Sequence, residues 1–309
     1  MQTKAFRIGT RGSPLALAQA HETRTRLMAA HNLPEDRFEI VVLTTKGDRI
    51  TDRSLSEIGG KGLFTAELEE MLLNGELDLA VHSSKDMATT LPDGLEIIAY
   101  LPREDVRDAL IGRTAPTLMT LPAGAVVGTA SLRRQALVKK LRPDLEVKVF
   151  RGLVDTRLRK LAEGEADATL LAYAGLRRLD KTEVATELLD PAEFIPAPAQ
   201  GAICIEARPD RAEIVDLLAP INHAETFACV SCERAFLEVL DGSCRTPIAG
   251  LAQMVDDKIV FRGMVLTPDG QESHVVDRTG AADEAMTLGR QAGHEIRDRA
   301  GADFFASWG

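Results

Sequence analysis

Apolar and polar positions along the 309-residue chain form two runs of one pattern, followed by a third run of a different kind. The first run opens with an apolar stretch over residues 5–9, passes through Thr10-Arg11-Gly12-Ser13 and reads as a helix from Pro14. The second opens with residues 125–128, passes through Thr129-Ala130-Ser131 and reads as a helix from Leu132 that stops before Pro143. A serine just ahead of a helix caps its free N–H groups, and a proline at the first helical position has a suitable φ and no N–H to lose. Each run continues with a second strand, over 38–44 and 145–150. A helix then ends in Gly-Glu-x-Asp, at Gly75 to Asp78 and at Gly164 to Asp167, and a third apolar strand follows over 79–82 and 168–172.

Two β-α-β-α-β units predict two parallel sheets flanked by helices, which bind ligands at the carboxyl ends of their strands. Those ends carry Arg11 and Asp86 in one unit and Arg133, Arg151 and Arg178 in the other, and two such units imply a cleft between domains. The stretches 102–105 and 195–199 read as crossings between the units, and 202–207 as a strand returning to the first. From about Pro220 the pattern changes to a helix over 224–240, alternating strands near 248–255, 258–266 and 272–278, and a last helix from Ala281. Asp256-Asp257 and Pro268-Asp269-Gly270 supply the turns. The expected fold is therefore α/β, with two similar doubly wound domains (1–101 plus 200–219, and 102–199). A small C-terminal α+β domain with a three-stranded antiparallel sheet (220–309) follows them.

Composition narrows the class. A net charge of −10 argues against a nucleic-acid partner. Residues 126–181 nevertheless hold thirteen Lys and Arg against seven acids, a local +6 in a chain whose remainder carries −16, which points to a local anion site. The N-terminal residues lack the apolar core and cleavage site of a secretory signal, and no apolar run approaches a membrane span. Four cysteines are too few for a disulfide scaffold at this length. The expected setting is the cytoplasm, with no membrane partner and nothing that demands an oligomer.

Three features carry candidate chemistry. Cys244 sits in the loop Asp241-Gly242-Ser243-Cys244-Arg245-Thr246-Pro247, where small neighbours and an adjacent arginine favour an accessible thiolate. Taken alone, it reads better as an ordinary loop cysteine. Cys229 and Cys232 form a C-x-x-C inside a predicted helix, with no second pair at zinc spacing, so no metal is expected. Asp86, just past the strand over 79–82, is placed either to stabilise a developing cation or to cap a helix.

The motifs Thr10 to Leu17, Gly60-Lys61-Gly62-Leu63-Phe64, Ala80 to Asp86 and Gly128 to Gln135 resemble those of porphobilinogen deaminases. So do Arg151-Gly152 with Thr156-Arg157, Ala174-Gly175-Leu176, Gln200-Gly201-Ala202 and the Cys244 loop, all in the family's order from residue 8 to residue 250. The resemblance implies two type II periplasmic-binding-protein-like domains and a dipyrromethane cofactor joined to Cys244 through a thioether. It implies stepwise deamination and head-to-tail condensation of four porphobilinogens, then hydrolytic release of the linear tetrapyrrole hydroxymethylbilane by a monomeric transferase. Asp86 would be catalytic, holding pyrrole N–H groups and stabilising the azafulvenium cation. Ser83, Lys85, Asp86, Thr129, Ser131, Arg133, Arg134, Arg157 and Gly175 would hold the cofactor; Arg11, Ser13, Lys61, Arg151, Arg157, Arg178 and Gln200 would hold substrate. Every pyrrole carries an acetate and a propionate, so the arginines and helix N-termini meet a growing polyanion.

The chain departs from the family pattern at Ala199 and Asp155 (usually Gly), Leu153 (usually Asn), Ser84 (usually Met), Ala88 (usually Pro) and Ser243 (usually Gly). These touch the crossing backbone and one polar contact, not the thioether cysteine, Asp86 or the arginines. The competing readings are a non-enzymatic two-domain anion-binding protein and a thiol-redox or zinc protein built on Cys229 and Cys232.

Overall fold

The computed structural model describes residues 5–44, 65–240 and 246–308. They fall into two compact units: residues 5–44, 65–104 and 201–227 in the first, and 105–200, 228–240 and 246–308 in the second.

The first unit is built on a five-stranded sheet. β1 (Phe6–Arg11) lies parallel between β2 (Phe38–Leu43) and β3 (Leu79–Ser83), while β10 (Ile203–Ala207) runs antiparallel between β3 and β4 (Glu96–Tyr100). Helix α1 (Pro14–His31) starts where its sequence says it must: Ser13 Oγ accepts from the Ala16 N–H at 3.2 Å, and Asn32 closes the other end in the left-handed region. Ala20 and Leu27 of α1 pack on Ile8, Leu79, Val81, Ile203 and Ile205 of the sheet. Helix α2 (Ala66–Leu73) covers the opposite core with Leu68 and Leu72, against Leu77 and Ala80.

The second unit repeats this arrangement strand for strand. β6 (Val126–Gly128) lies parallel between β7 (Glu146–Lys148) and β8 (Ala168–Ala172), and β5 (Asp108–Gly112) runs antiparallel between β8 and β9 (Glu187–Leu188). Helices α3 (Leu132–Leu141), α4 (Val154–Ala162) and α5 (Tyr173–Arg178) follow β6, β7 and β8. Gly128 closes β6 where a Cβ would lie 2.6 Å from the Phe150 ring, so no larger residue fits there. The parallel sheets expected from the sequence are thus parallel only in the trio at one edge, β2-β1-β3 and β7-β6-β8. β10 and β5 enter from chain crossings, free of the helical crossover that forces a parallel neighbour, and both run antiparallel.

Helix α6 (Ala212–Leu218) completes the first unit's core, and α7 (Ala224–Val239) leads to the tail. There β11 (Ile248–Val255), β12 (Lys258–Leu266) and β13 (Ser273–Ala281) form an antiparallel meander. The last helix, α8 (Ala285–Ala306), starts four residues later than the pattern predicts, because β13 stays paired with β12 as far as Ala281. Phe236, Phe261, Ile259, Leu288 and Ile296 make a core between this sheet and α7 and α8. Its other face shares a core with the second unit's main sheet: Ala249, Leu251, Met264 and Leu266 pack with Leu110, Val127, Leu137 and Leu170. The β12–β13 turn lies on α3. A Cβ at Gly270 (φ 70°) would come within 2.4 Å of Ala136 O and 2.5 Å of Lys140 N, and Gln135 Nε2 donates to Pro268 O at 3.2 Å.

Candidate functional site

In the first unit, Arg11, Ser13, Ser83 and Asp86 line one cavity of about 60 Å³, together with Gln19, Thr65 and His82. That is several times the space a single water needs. β1 delivers Arg11 and β3 delivers Ser83, so the cavity sits at the carboxyl ends of neighbouring parallel strands. Ser83 and Gln19 are fixed on each other: Gln19 Nε2 donates to Ser83 Oγ at 2.8 Å, and the hydroxyl donates back to Gln19 Oε1 at 3.1 Å. Asp86 ends a short 3₁₀ turn (Ser84–Asp86) and is exposed. Its carboxylate bonds no described residue, so it caps no helix in this structure and its oxygens remain available to a ligand. Lys85, beside it, is half-buried.

The second unit gathers cations. Asp108, at the start of β5, is fully buried beneath α3. Arg133 Nη2 donates to Asp108 Oδ2 at 2.7 Å, and Arg134 donates to Oδ1 from Nε at 3.1 Å and Nη2 at 2.6 Å. Arg133 Nη1 donates to Ile195 O and Arg134 Nη1 to Leu170 O. Gln200 Nε2 adds bonds to Asp108 Oδ1 at 3.0 Å and to Val106 O at 2.8 Å, so the hydrogens of its amide nitrogen are spent inside the fold. Burial alone would raise the Asp108 carboxyl, but the charges of Arg133 and Arg134 and their hydrogen bonds hold it well below the usual carboxylate range. Arg133 is itself lowered, first by burial.

One carboxylate therefore faces two guanidinium groups, and a third stands close by. Burial lowers Arg157 to about 10, and the like charges of Arg134 and Arg151 add to the effect. Arg157 Nε donates to Gly152 O at 2.9 Å, and no described carboxylate pairs with it. Arginines gathered with too few acids form an anion site, because the cost of crowding them is relieved only when negative charge arrives. Two further candidates shape the local backbone. Thr129 Oγ1 accepts from the Ser131 N–H at 3.2 Å, and Ser131 Oγ accepts from the Arg134 N–H at 3.4 Å, which starts α3 and sets the arginine pair over Asp108. Gly175 and Arg178 lie on α5, directly after β8, with Arg178 half-buried.

Lys61 and Cys244 lie outside the described residues. The other three cysteines, Cys204, Cys229 and Cys232, are buried free thiols. Burial, with the Glu233 charge, pushes the Cys232 thiol far above its usual value, which is the opposite of what a redox thiolate requires. Among the described residues no helix is long and apolar enough to cross a membrane.

Sequence reading passed over four buried acids and one histidine: Glu69, Asp108, Glu206, Glu233 and His82. The signal was present as charge inside apolar strands, in Asp108-Ala109-Leu110-Ile111 and Ile203-Cys204-Ile205-Glu206. Which cations these acids meet depends on strand neighbours that are remote in sequence.

Residues 6–216 match the family model described as porphobilinogen deaminase, dipyromethane cofactor binding domain, and residues 227–298 match that of the porphobilinogen deaminase C-terminal domain. A porphobilinogen deaminase of Nitrobacter winogradskyi is 57% identical over 298 residues, covering 96% of this chain and 94% of that protein. Among solved structures, a putative methionine-binding lipoprotein from Bacillus subtilis is 14% identical, covers 72% of this chain and 92% of its own, and has a TM-score of 0.43. A nutrient binding protein from Burkholderia cenocepacia bound to methionine is 12% identical, with coverages of 70% and 90% and a TM-score of 0.43. Two family models in chain order and a relative matched almost end to end lead to one conclusion: this chain belongs to the porphobilinogen deaminase family.

Proposed function

We propose that the protein is a hydroxymethylbilane synthase: a transferase that deaminates four porphobilinogens, joins them head to tail and releases the linear tetrapyrrole by hydrolysis. The observation that carries the reading is the gathering of Arg134 and Arg151 about Arg157, which burial first and their like charges second hold below its normal value. Such a cluster suits a chain of pyrroles bearing two carboxylates each. The donor set fits the dipyrromethane cofactor in the same way, and that group, when bound, supplies the covalent primer on which the product grows. We assign its thioether to Cys244, between α7 and β11 in the sequence, and its carboxylates to Arg133, Arg134 and Arg157 with Ser83, Lys85, Thr129, Ser131 and the backbone at Gly175. Arg11, Ser13, Lys61, Arg151 and Arg178 serve the incoming pyrroles, and Gln200 supports the site through its bond to Asp108.

Asp86 is the catalytic carboxylate in this reading. Being exposed at a cavity with no internal partner, it is free to accept pyrrole N–H bonds and to stabilise positive charge as ammonia leaves. Arg133 and Arg134 are fixed by Asp108 before any ligand arrives, so little ordering is left to do at binding. The enzyme works as a monomer in the cytoplasm.

Intact mass tests the assignment. The wild-type protein should exceed its sequence mass by two linked pyrroles. Cys244→Ser should lack the excess, and single serine variants of Cys204, Cys229 and Cys232 should keep it. An adduct on any other cysteine, or none in the wild type, overturns the reading.

A further inference from the structure

Behind the Asp86 cavity the first unit buries three ionisable groups that the proposed reaction leaves without a task. His82 on β3 is 5% exposed and Glu206 on β10 is 0% exposed, with His82 Nε2 3.1 Å from Glu206 Oε2. Glu69 on α2 is 7% exposed and lies within electrostatic reach of both. One oxygen of Glu69 and one of Glu206 meet no hydrogen-bond partner. Burial pushes the Glu69 carboxyl up, against the pull of the Thr65 hydroxyl, and the Glu206 charge pushes it further while His82 opposes. Glu69 is thus pushed toward its neutral form, and Glu206 is the carboxylate in contact with the imidazole.

An ionised Glu206 accepts from Nε2–H, and that bond fixes the tautomer whose lone pair is on Nδ1. No described residue bonds Nδ1, and His82 lines the same cavity as Asp86, Ser83 and Arg11. An imidazole oriented by a buried carboxylate, in a residue that lines a ligand cavity, has the parts of a general base.

Building on the reaction proposed above, we propose that His82, oriented by Glu206, accepts the proton that the terminal pyrrole loses at each addition. The C–N bond of the incoming aminomethyl group, protonated at nitrogen, breaks, and ammonia leaves with the bonding pair. The free α-carbon of the terminal pyrrole supplies a π pair to the methylene carbon, forming the new C–C bond. The C–H bond at that α-carbon then breaks, its electron pair restores the aromatic ring, and the proton passes to His82 Nδ1. The imidazolium hands it to the ammonia, which departs as ammonium, so the base is regenerated once per pyrrole. Glu206 from β10 and Glu69 from α2 are the charged groups near His82, and Arg11 from the end of β1, Asp86 from the turn after β3 and the neutral Gln19 of α1 line the same cavity.

His82→Gln keeps a donor for Glu206 and removes the base. Elongation at neutral pH should slow about 10²-fold with KM within about twofold of wild type, the usual scale for a lost base. Deuterium at the free α-carbon of porphobilinogen should then slow elongation in His82→Gln more than in wild type, and the fall in rate towards acid pH should disappear. An unchanged isotope effect together with an unchanged pH profile overturns the proposal. Nitrogen-15 shifts of the His82 ring in the unmodified protein supply a reading that needs no variant to fold. They should show Nε2 protonated and Nδ1 bare at neutral pH, and the opposite tautomer overturns the proposal. An inactive Asp86→Asn beside a fully active His82→Gln would overturn this inference alone, whereas a missing pyrrole adduct on Cys244 would overturn the reading beneath it.

Discussion

The two five-stranded sheets share one topology and put opposite chemistry on it. Each places a buried acid on the antiparallel strand beside its parallel trio: Glu206 on β10, in register with Ala80, and Asp108 on β5, in register with Ala172. In the first unit that acid meets an imidazole, which is charged only when protonated. In the second it meets two guanidinium groups, which stay charged under all working conditions. The equivalent strand thus carries a buried acid in both units but at different positions, Glu206 opposite the second residue of β3 and Asp108 opposite the last residue of β8, one beside an imidazole and the other beside a buried cationic pair. Duplication repeats the backbone, and the partner of one buried acid sets the use of each copy.

The largest test of this contrast is Asp86. Asp86→Asn preserves shape and one acceptor oxygen but removes the charge, so turnover should fall about 10²–10⁴-fold with pyrrole binding retained, and Asp86→Glu should lose less. A capping aspartate would make Asp86→Asn nearly silent, since asparagine caps as well. Single-turnover kinetics with mass detection of each added pyrrole reads the difference.

Asp108→Asn is the counterpart in the second unit. It leaves Arg133 and Arg134 buried without their counter-ion and should destabilise the protein by about 3–5 kcal/mol in denaturant titration. Glu206→Gln, which leaves a hydrogen-bonding group opposite a histidine, should cost no more than about 1–3 kcal/mol. Equal losses would remove the distinction drawn between the two acids.

Acid and base should act on the two units with opposite sign. The folded pKa of Asp108 is depressed, so its contribution is complete above the ordinary carboxylate range and is lost as pH falls through the folded value in strong acid. Glu69 is raised, so its contribution is greatest below the ordinary range and is lost as pH rises through the folded value. Glu69→Gln should therefore flatten the loss of stability on the neutral side, and Asp108→Asn the loss on the acid side. Thermal midpoints measured across pH decide both.

The smallest effects come from two departures from the family pattern. Leu153 stands at the N-cap of α4 and supplies no side-chain bond, so Leu153→Asn should stabilise by about 1 kcal/mol. Ala199 is held at φ 62°, where its N–H donates to Glu233 Oε2 at 2.6 Å, and Ala199→Gly should gain about 0.5–1 kcal/mol by removing the left-handed penalty. Calorimetry on the two single variants resolves gains of this size.

The helix starts at Pro14 and Leu132, the glycine-ended helices before β3 and β8, and the tail meander all follow from the chain's own pattern, since caps, turns and alternation act over a few residues. Arg11, Ser13, Ser83 and Asp86 were legible because the ends of parallel strands in sequence-adjacent elements are brought together by the βαβ rule itself. The antiparallel course of β5 and β10 was not, because it depends on where a crossing chain re-enters a sheet. Nor was the fate of Arg133 and Arg134: their charge is written in the sequence, but that it is spent on Asp108, 25 and 26 residues away, is a fact of packing. His82 shows the same division. Its place at the end of an apolar strand is local, whereas its carboxylate partner lies 124 residues further on, and only the sheet that pairs β3 with β10 makes the two groups neighbours in a medium dry enough for their charges to matter.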